Sequence, residues 1–153
     1  MMTTKGICEM EVSKITDENC ILFIWGTWPR LPDCLEVVKA WGFTYKTLGF
    51  NWYKENKNGS LFFGMGYWTR SNTEYCLLAT KGHPKRIDAN VFQVIRHPRL
   101  RHSEKPAVVR DKIVELVGDI PRIELFARQK THGWDVWGNE VDNDMPLLQV
   151  MNI

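Results

Sequence analysis

A chain of 153 residues, 44% hydrophobic and 25% charged, has the makeup of a single soluble domain with a sizeable core. No apolar stretch reaches the ~20 residues of a membrane span, and residues 1–15 carry Glu9 and Glu11 where a signal peptide would be apolar. The four cysteines form no C-x-x-C pair and have no His at metal-ligand spacing. Reduced thiols in a cytoplasmic protein are the expectation, with no disulfide framework and no metal centre.

Net charge is only +2, but it is unevenly spread. Residues 81–105 hold Lys81, Lys85, Arg86, Arg96, Arg99, Arg101 and Lys105 against Asp88 and Glu104, a local balance of +5. Residues 131–153 hold Asp135, Glu140, Asp142 and Asp144 with no Lys or Arg, a balance of −4. A local basic stretch is the electrostatic footprint of a nucleic-acid binder, although solvated basic loops are common.

In chain order, residues 3–15 place apolar side chains at Ile7, Met10, Val12 and Ile15, compatible with a short helix or lead-in turn. Cys20–Trp25 is a continuous apolar run of strand length, the pattern of a parallel strand covered on both faces. Asp33 is placed to cap a helix over 34–41, with Leu35, Val38 and Trp41 at helical spacing and Gly42 as its stop. Phe43–Trp52 alternates like a strand, with Gly49 marking a bulge or bend. Lys54–Gly66 reads as a loop.

Tyr75–Thr80 is another buried-strand run, and Val91–Ile95 reads as a short strand. A basic connection, His97–Lys105, leads to Pro106, which opens a helix at the first-turn position. That helix has an inward stripe of Val109, Ile113, Leu116 and Val117 and stops at Gly118. Arg122–Phe126 reads as a short buried strand, breaking into a polar loop, 127–133, and a Trp-rich segment. Residues 142–153 form a tail without clear period. Strands alternating with helices predict one α/β domain over 1–153 of Rossmann type, with ligands bound outside the carboxyl ends of the strands. Trp25, Trp41 and Trp52 each close an apolar periodic segment and are expected in the core.

Several stretches together resemble a known family. They are Leu22-Phe23-Ile24-Trp25 with Thr27, Ala40-Trp41-Gly42-Phe43, Gly64-Met65-Gly66-Tyr67-Trp68-Thr69-Arg70 and Glu74 through Gly82. They continue with His102-Ser103-Glu104-Lys105-Pro106, Ile123 through Arg128, and Gly133-Trp134-Asp135 through Gly138-Asn139-Glu140. No single piece is specific, but in this order they resemble the adenine N-6 methyltransferases called MT-A-seventy, particularly the bacterial and phage DNA-modifying branch.

The resemblance implies a class I methyltransferase with a Rossmann-like sheet. Such an enzyme transfers a methyl group from S-adenosylmethionine to the exocyclic amine of adenine in nucleic acid, DNA more than RNA. It places Lys105 near the reacting groups and the methionine end of the cofactor. Arg128, Lys130 and Thr131 fall in the loop that contacts adenosine and ribose, and Asn139 and Glu140 where the ribose hydroxyls are bound. Trp68, Arg70 and Glu74 border the target base, with Trp68 either the surface that receives it or part of the core. Glu74 needs a partner if it is buried; an exposed rim is the alternative.

The family's catalytic signature, Asp-Pro-Pro-Trp, occurs nowhere in this chain. The signature matters because an exocyclic aromatic amine is a poor nucleophile. A carboxylate and an adjacent carbonyl accept its N–H hydrogens and orient it toward the methyl donor. No catalytic residue is therefore assigned here. The expectation is a sheet incomplete on its amino-terminal side, with an exposed apolar edge, and a second chain supplying the missing strand. A non-catalytic nucleic-acid-binding partner of an active methyltransferase is the alternative.

Overall fold

The computed structural model describes residues 3–101 and 104–138. A short helix α1 (Thr4–Cys8), capped by the Thr3 hydroxyl, and a single 3-10 turn (Val12–Ile15) lead into strand β1 (Cys20–Gly26). Helix α2 (Leu31–Ala40) follows, then strands β2 (Thr44–Glu55), β3 (Thr73–Lys81) and β4 (Val94–Pro98). Helix α3 (Val108–Val117) and the short strands β5 (Ile123–Leu125) and β6 (Asp135–Trp137) complete the described part.

Four strands form one mixed sheet in the order β1-β3-β2-β4. Strand β3 is antiparallel to both neighbours, and β2 runs parallel to β4. Strands β1, β2 and β4 therefore end at the same edge, where β3 begins. Strands β5 and β6 pair parallel as a separate two-stranded ladder.

Alternation along β1 assigns its side chains to two layers. Ile21, Phe23 and Trp25 pack with Phe50, Trp52, Cys76 and Ile95 beneath Val109, Ile113 and Val117 of α3. Cys20, Leu22 and Ile24 face the opposite layer, where Val37 and Val38 of α2, with Trp41 just after it, close over Phe43 and Ala79. Leu125 of β5 packs in the second layer and Trp134, just ahead of β6, in the first, so this part of the chain reaches both faces of the sheet. A two-toothed contact from Arg110 of α3 to Glu124 of β5, at 3.0 and 3.2 Å, ties the ladder to the helix.

Several sequence expectations need correction. Cys20–Gly26 is an edge strand with an antiparallel neighbour, and all seven of its residues are only half-buried. Its continuous apolar run reflects two covered faces but not a central place in a parallel sheet. Asp33 does not cap α2. The helix starts earlier, with Pro32 in its first turn, and Asp33 pairs instead with Arg30 at 2.5 Å. The strand expected at Val91–Ile95 lies at Val94–Pro98, because Val94 through Pro98 match Asn51 through Glu55 of β2 residue for residue. Pro106 is buried just ahead of α3, which begins at Val108. The bulge expected at Gly49 is present, as the β2–β3 register shifts between Leu48 and Phe50. Trp41 and Trp52 are core residues, whereas Trp25 is half-buried.

Candidate active site

At the edge where β1, β2 and β4 end, the fold gathers Trp25, Lys54, Glu74, His97 and Lys105. The centre is the Glu74 carboxylate, its side chain 13% exposed. One oxygen lies 2.7 Å from Lys105 Nζ and the other 2.6 Å from Lys54 Nζ. Each ammonium also lies against an indole ring, Lys105 at 5.6 Å from the Trp25 centroid and Lys54 at 5.2 Å from that of Trp52. The two rings meet edge to face at 6.5 Å. Trp52 Nε1 in turn donates to the His97 carbonyl at 2.9 Å, which holds the end of β4 against the cluster.

Burial pushes the Glu74 carboxyl up, but hydrogen bonds from Lys105 and Lys54, with their charges, outweigh it and hold the group below the usual range. Among the described residues, two cations around one carboxylate leave one positive charge uncompensated. Such an arrangement suits a ligand that carries its own carboxylate, with charge-assisted hydrogen bonds as the means of holding it.

The turn after β5 carries the other loop residues singled out from the sequence. Phe126 takes a left-handed backbone at φ 58°, uncommon for a bulky residue. Packing over-determines it: the Phe126 ring meets the buried Trp137 ring edge-on at 5.4 Å, and Ala127 N–H donates to the Trp137 carbonyl at 2.9 Å. Gly138 must lack a side chain, since a Cβ there would strike the Ala127 backbone. The turn thus points the exposed residues Arg128 and Lys130 outward with half-buried Thr131. The Glu104 carboxyl is held low mainly by Arg101, with a lesser contribution from the charge of Arg128.

Lys105 and Glu74, singled out from the sequence, are brought into direct contact, and Glu74 has two partners rather than a place on an exposed rim. Trp68 and Arg70 are not in the core: both are exposed, on a loop beside the cluster. Asn139 and Glu140, like the tail from 142, lie outside the described residues. Lys54 was not anticipated. It sits at the end of β2 where the sequence suggests only a loop, and no local pattern pairs it with Glu74.

The basic stretch 81–105 is divided by the fold. Lys81, at the far end of β3, donates to Thr16, and Ile87 N–H bonds Leu116 at the carboxyl end of α3. Arg96 and Lys105 lie at the opposite, site-bearing end. A shallow apolar groove lined by Trp28, Leu31, Leu35, Tyr45, Leu48 and Leu77 lies on the α2 side, away from the charged cluster. Among the described residues no cluster of His, Cys, Asp and Glu could hold a metal ion, and no helix is long and apolar enough to cross a membrane.

Comparison with known proteins gives one consistent answer. The chain is 38% identical over 146 residues to the Type II methyltransferase M.MunI of a Mycoplasma species, covering 94% of this chain and 60% of that protein. It is 25% identical over 130 residues to the N(6)-adenosine-methyltransferase MT-A70-like protein of Drosophila melanogaster, over 82% of this chain and 21% of the relative. It is 26% identical over 159 residues to the human N(6)-adenine-specific methyltransferase METTL4, over 88% of this chain and 31% of that one. The chain thus spans about three-fifths of the first of these relatives and less than a third of the others. The profile of the MT-A70 family matches residues 1–140, and the chain belongs to that family.

Proposed function

We propose that this chain forms the cofactor wall and target-base face of an S-adenosylmethionine-dependent methyltransferase acting on the exocyclic amine of adenine in DNA. The observation that carries this reading is the Lys105–Glu74 contact at the edge of the sheet where β1, β2 and β4 end. The cofactor would supply an activated methyl group on a sulfonium. Lys105, with the uncompensated positive charge of its cluster, holds the methionine carboxylate. Arg128, Lys130 and Thr131 border the adenosine, and Asn139 with Glu140 take the ribose hydroxyls. Glu74 keeps the Lys105 ammonium at the cluster, and Lys54 shares that work from β2. Trp68 and Arg70 lie on the side from which a base would enter.

The groups that orient the amine are proposed to come from a further strand carrying Asp-Pro-Pro-Trp, supplied by a second chain or a segment outside these residues. The support is the outer edge of β1. It makes no ladder with another strand among the described residues, and its apolar side chains are half-exposed. Leu125 and Trp134 pack on opposite faces of the sheet. An unpaired apolar edge is a template for one more strand. The reading as a non-catalytic nucleic-acid-binding partner makes the opposite prediction about the cofactor.

Calorimetry with S-adenosylhomocysteine tests the proposal. Binding by the unaltered chain, weakened roughly ten- to a hundredfold in Lys105→Ala, is the expected result for loss of a charge-assisted contact. Absence of binding, with oligonucleotide binding retained, would favour the non-catalytic reading. Mixing the chain with a polypeptide carrying the missing strand should then yield methylated adenine in DNA.

A further inference from the structure

Between β2 and β3 the chain runs out and back as a narrow finger. A Cβ on Gly64 would collide with the Ser71 carbonyl, and one on Gly66 with the Thr69 carbonyl. Residue 64 thus faces 71 and residue 66 faces 69, which leaves Tyr67 and Trp68 as the two residues at the tip. The limbs lie so close that only glycine fits at both contacts. Tyr67 is 105% exposed, Trp68 97% and Met65 86%. These side chains bury nothing in this chain, although an exposed aromatic patch is unfavourable in water without a partner to cover it.

Both feet of the finger are fixed to one residue of the candidate site. Phe62 N–H donates to the Lys54 carbonyl at 3.0 Å, and Lys54 N–H donates to the Asn72 carbonyl at 2.9 Å. The side chain of Lys54 is one of the two cations on Glu74. The finger therefore rises from the cluster itself. Its roots are cationic: the Arg99 guanidinium stacks 3.8 Å from the Phe62 centroid and that of Arg70 4.2 Å from the Phe63 centroid.

We propose that the finger 64–71 is a stacking wedge for a DNA strand, with Tyr67 and Trp68 packing against unstacked bases while Arg70 and Arg99 contact the flanking phosphates. The inference deepens the reading of the previous subsection and rests on its nucleic-acid substrate. Exposed aromatic rings at the tip with guanidinium groups at the roots match bases flanked by phosphates, whereas an apolar protein groove supplies no phosphates for the arginines. An enzyme acting on an exocyclic amine must take the base out of its stack, and an apolar wedge next to the site lowers the cost of that step. Tyr67 and Trp68 act on the strand, not on the methyl transfer.

The test uses the full chain and a fluorescein-labelled single-stranded DNA 20-mer of mixed sequence, read by anisotropy over a salt series. Replacing both Tyr67 and Trp68 by Ala should weaken binding roughly five- to 150-fold with the salt dependence kept, while Trp68→Phe retains most of the affinity. Arg70→Ala with Arg99→Ala should flatten the salt dependence by about two phosphate contacts. Unchanged affinity in the Tyr67/Trp68 variant overturns the proposal, as does no binding by the unaltered chain at low salt. So does a variant that loses self-association in sedimentation while binding DNA as before, which would make the finger a contact between copies. Tighter binding of RNA of the same sequence would overturn the assignment to DNA. S-adenosylhomocysteine titration of the same variants separates the two ideas. Retained cofactor binding with lost DNA binding supports the wedge, and absent cofactor binding in every form counts against the enzyme reading alone.

Discussion

Lys105 Nζ lies 2.7 Å from Glu74 Oε2, although 31 residues separate them in the chain. One partner starts a strand and the other precedes a helix, so the contact exists only because β3 and α3 meet at the same end of the sheet. Lys54 completes the cluster from β2 at 2.6 Å. Two consequences of this cluster, and two of the packing elsewhere in the sheet, can be measured.

Glu74→Gln keeps the shape but leaves two lysines facing each other without a counter-charge. Loss of one partner from a buried ion cluster costs several kcal/mol. Here the lysine side chains are 22% and 27% exposed, so about 2 kcal/mol is expected. Urea unfolding of the parent and the variant measures it, and a difference under a few tenths would show the cluster to be solvated.

The same carboxyl sets a pH dependence. Its folded value lies below the ordinary 4.5, so the pairing contributes fully above that value. As pH falls through the folded value, the contribution disappears. Between pH 7 and pH 3 the stability of the parent should therefore fall more than that of Glu74→Gln. Parallel curves for the two proteins would contradict the assignment.

Gly26→Ala should be destabilising by roughly 1–3 kcal/mol, the usual cost of overfilling a packed site. A Cβ there would meet the ring of Tyr75, directly opposite on β3 and fully buried, with ring carbons at 2.6 and 2.9 Å. Combining it with Tyr75→Phe removes the hydroxyl, the nearest atom, and should recover part of the loss. A double variant no better than the sum of the singles would argue against that contact.

The four thiols should alkylate in an order set by burial. Cys76 is wholly buried and its thiol is pushed up by that burial; Cys34 is 8% exposed and also raised. Cys8 and Cys20 are half-buried, so both should be modified first in the native protein at pH 8. Mass spectrometry after brief iodoacetamide treatment gives the order, and early labelling of Cys76 would mean that β3 opens readily.

The sequence alone determined the elements whose signals are local. The apolar run of β3, the helical stripe of α3 with its stop at Gly118, and the bulge at Gly49 each depend on the spacing of a few neighbouring residues. The family was also legible, because it rests on the order of short motifs along the chain. Tertiary structure decided what spacing does not encode. It made β1 an edge strand, since an apolar run records that faces are covered but not which strands lie beside it. It divided the basic stretch 81–105 between opposite ends of the sheet. It paired Lys54 and Lys105 with Glu74, because an ion pair between distant residues depends on where strand ends meet in space.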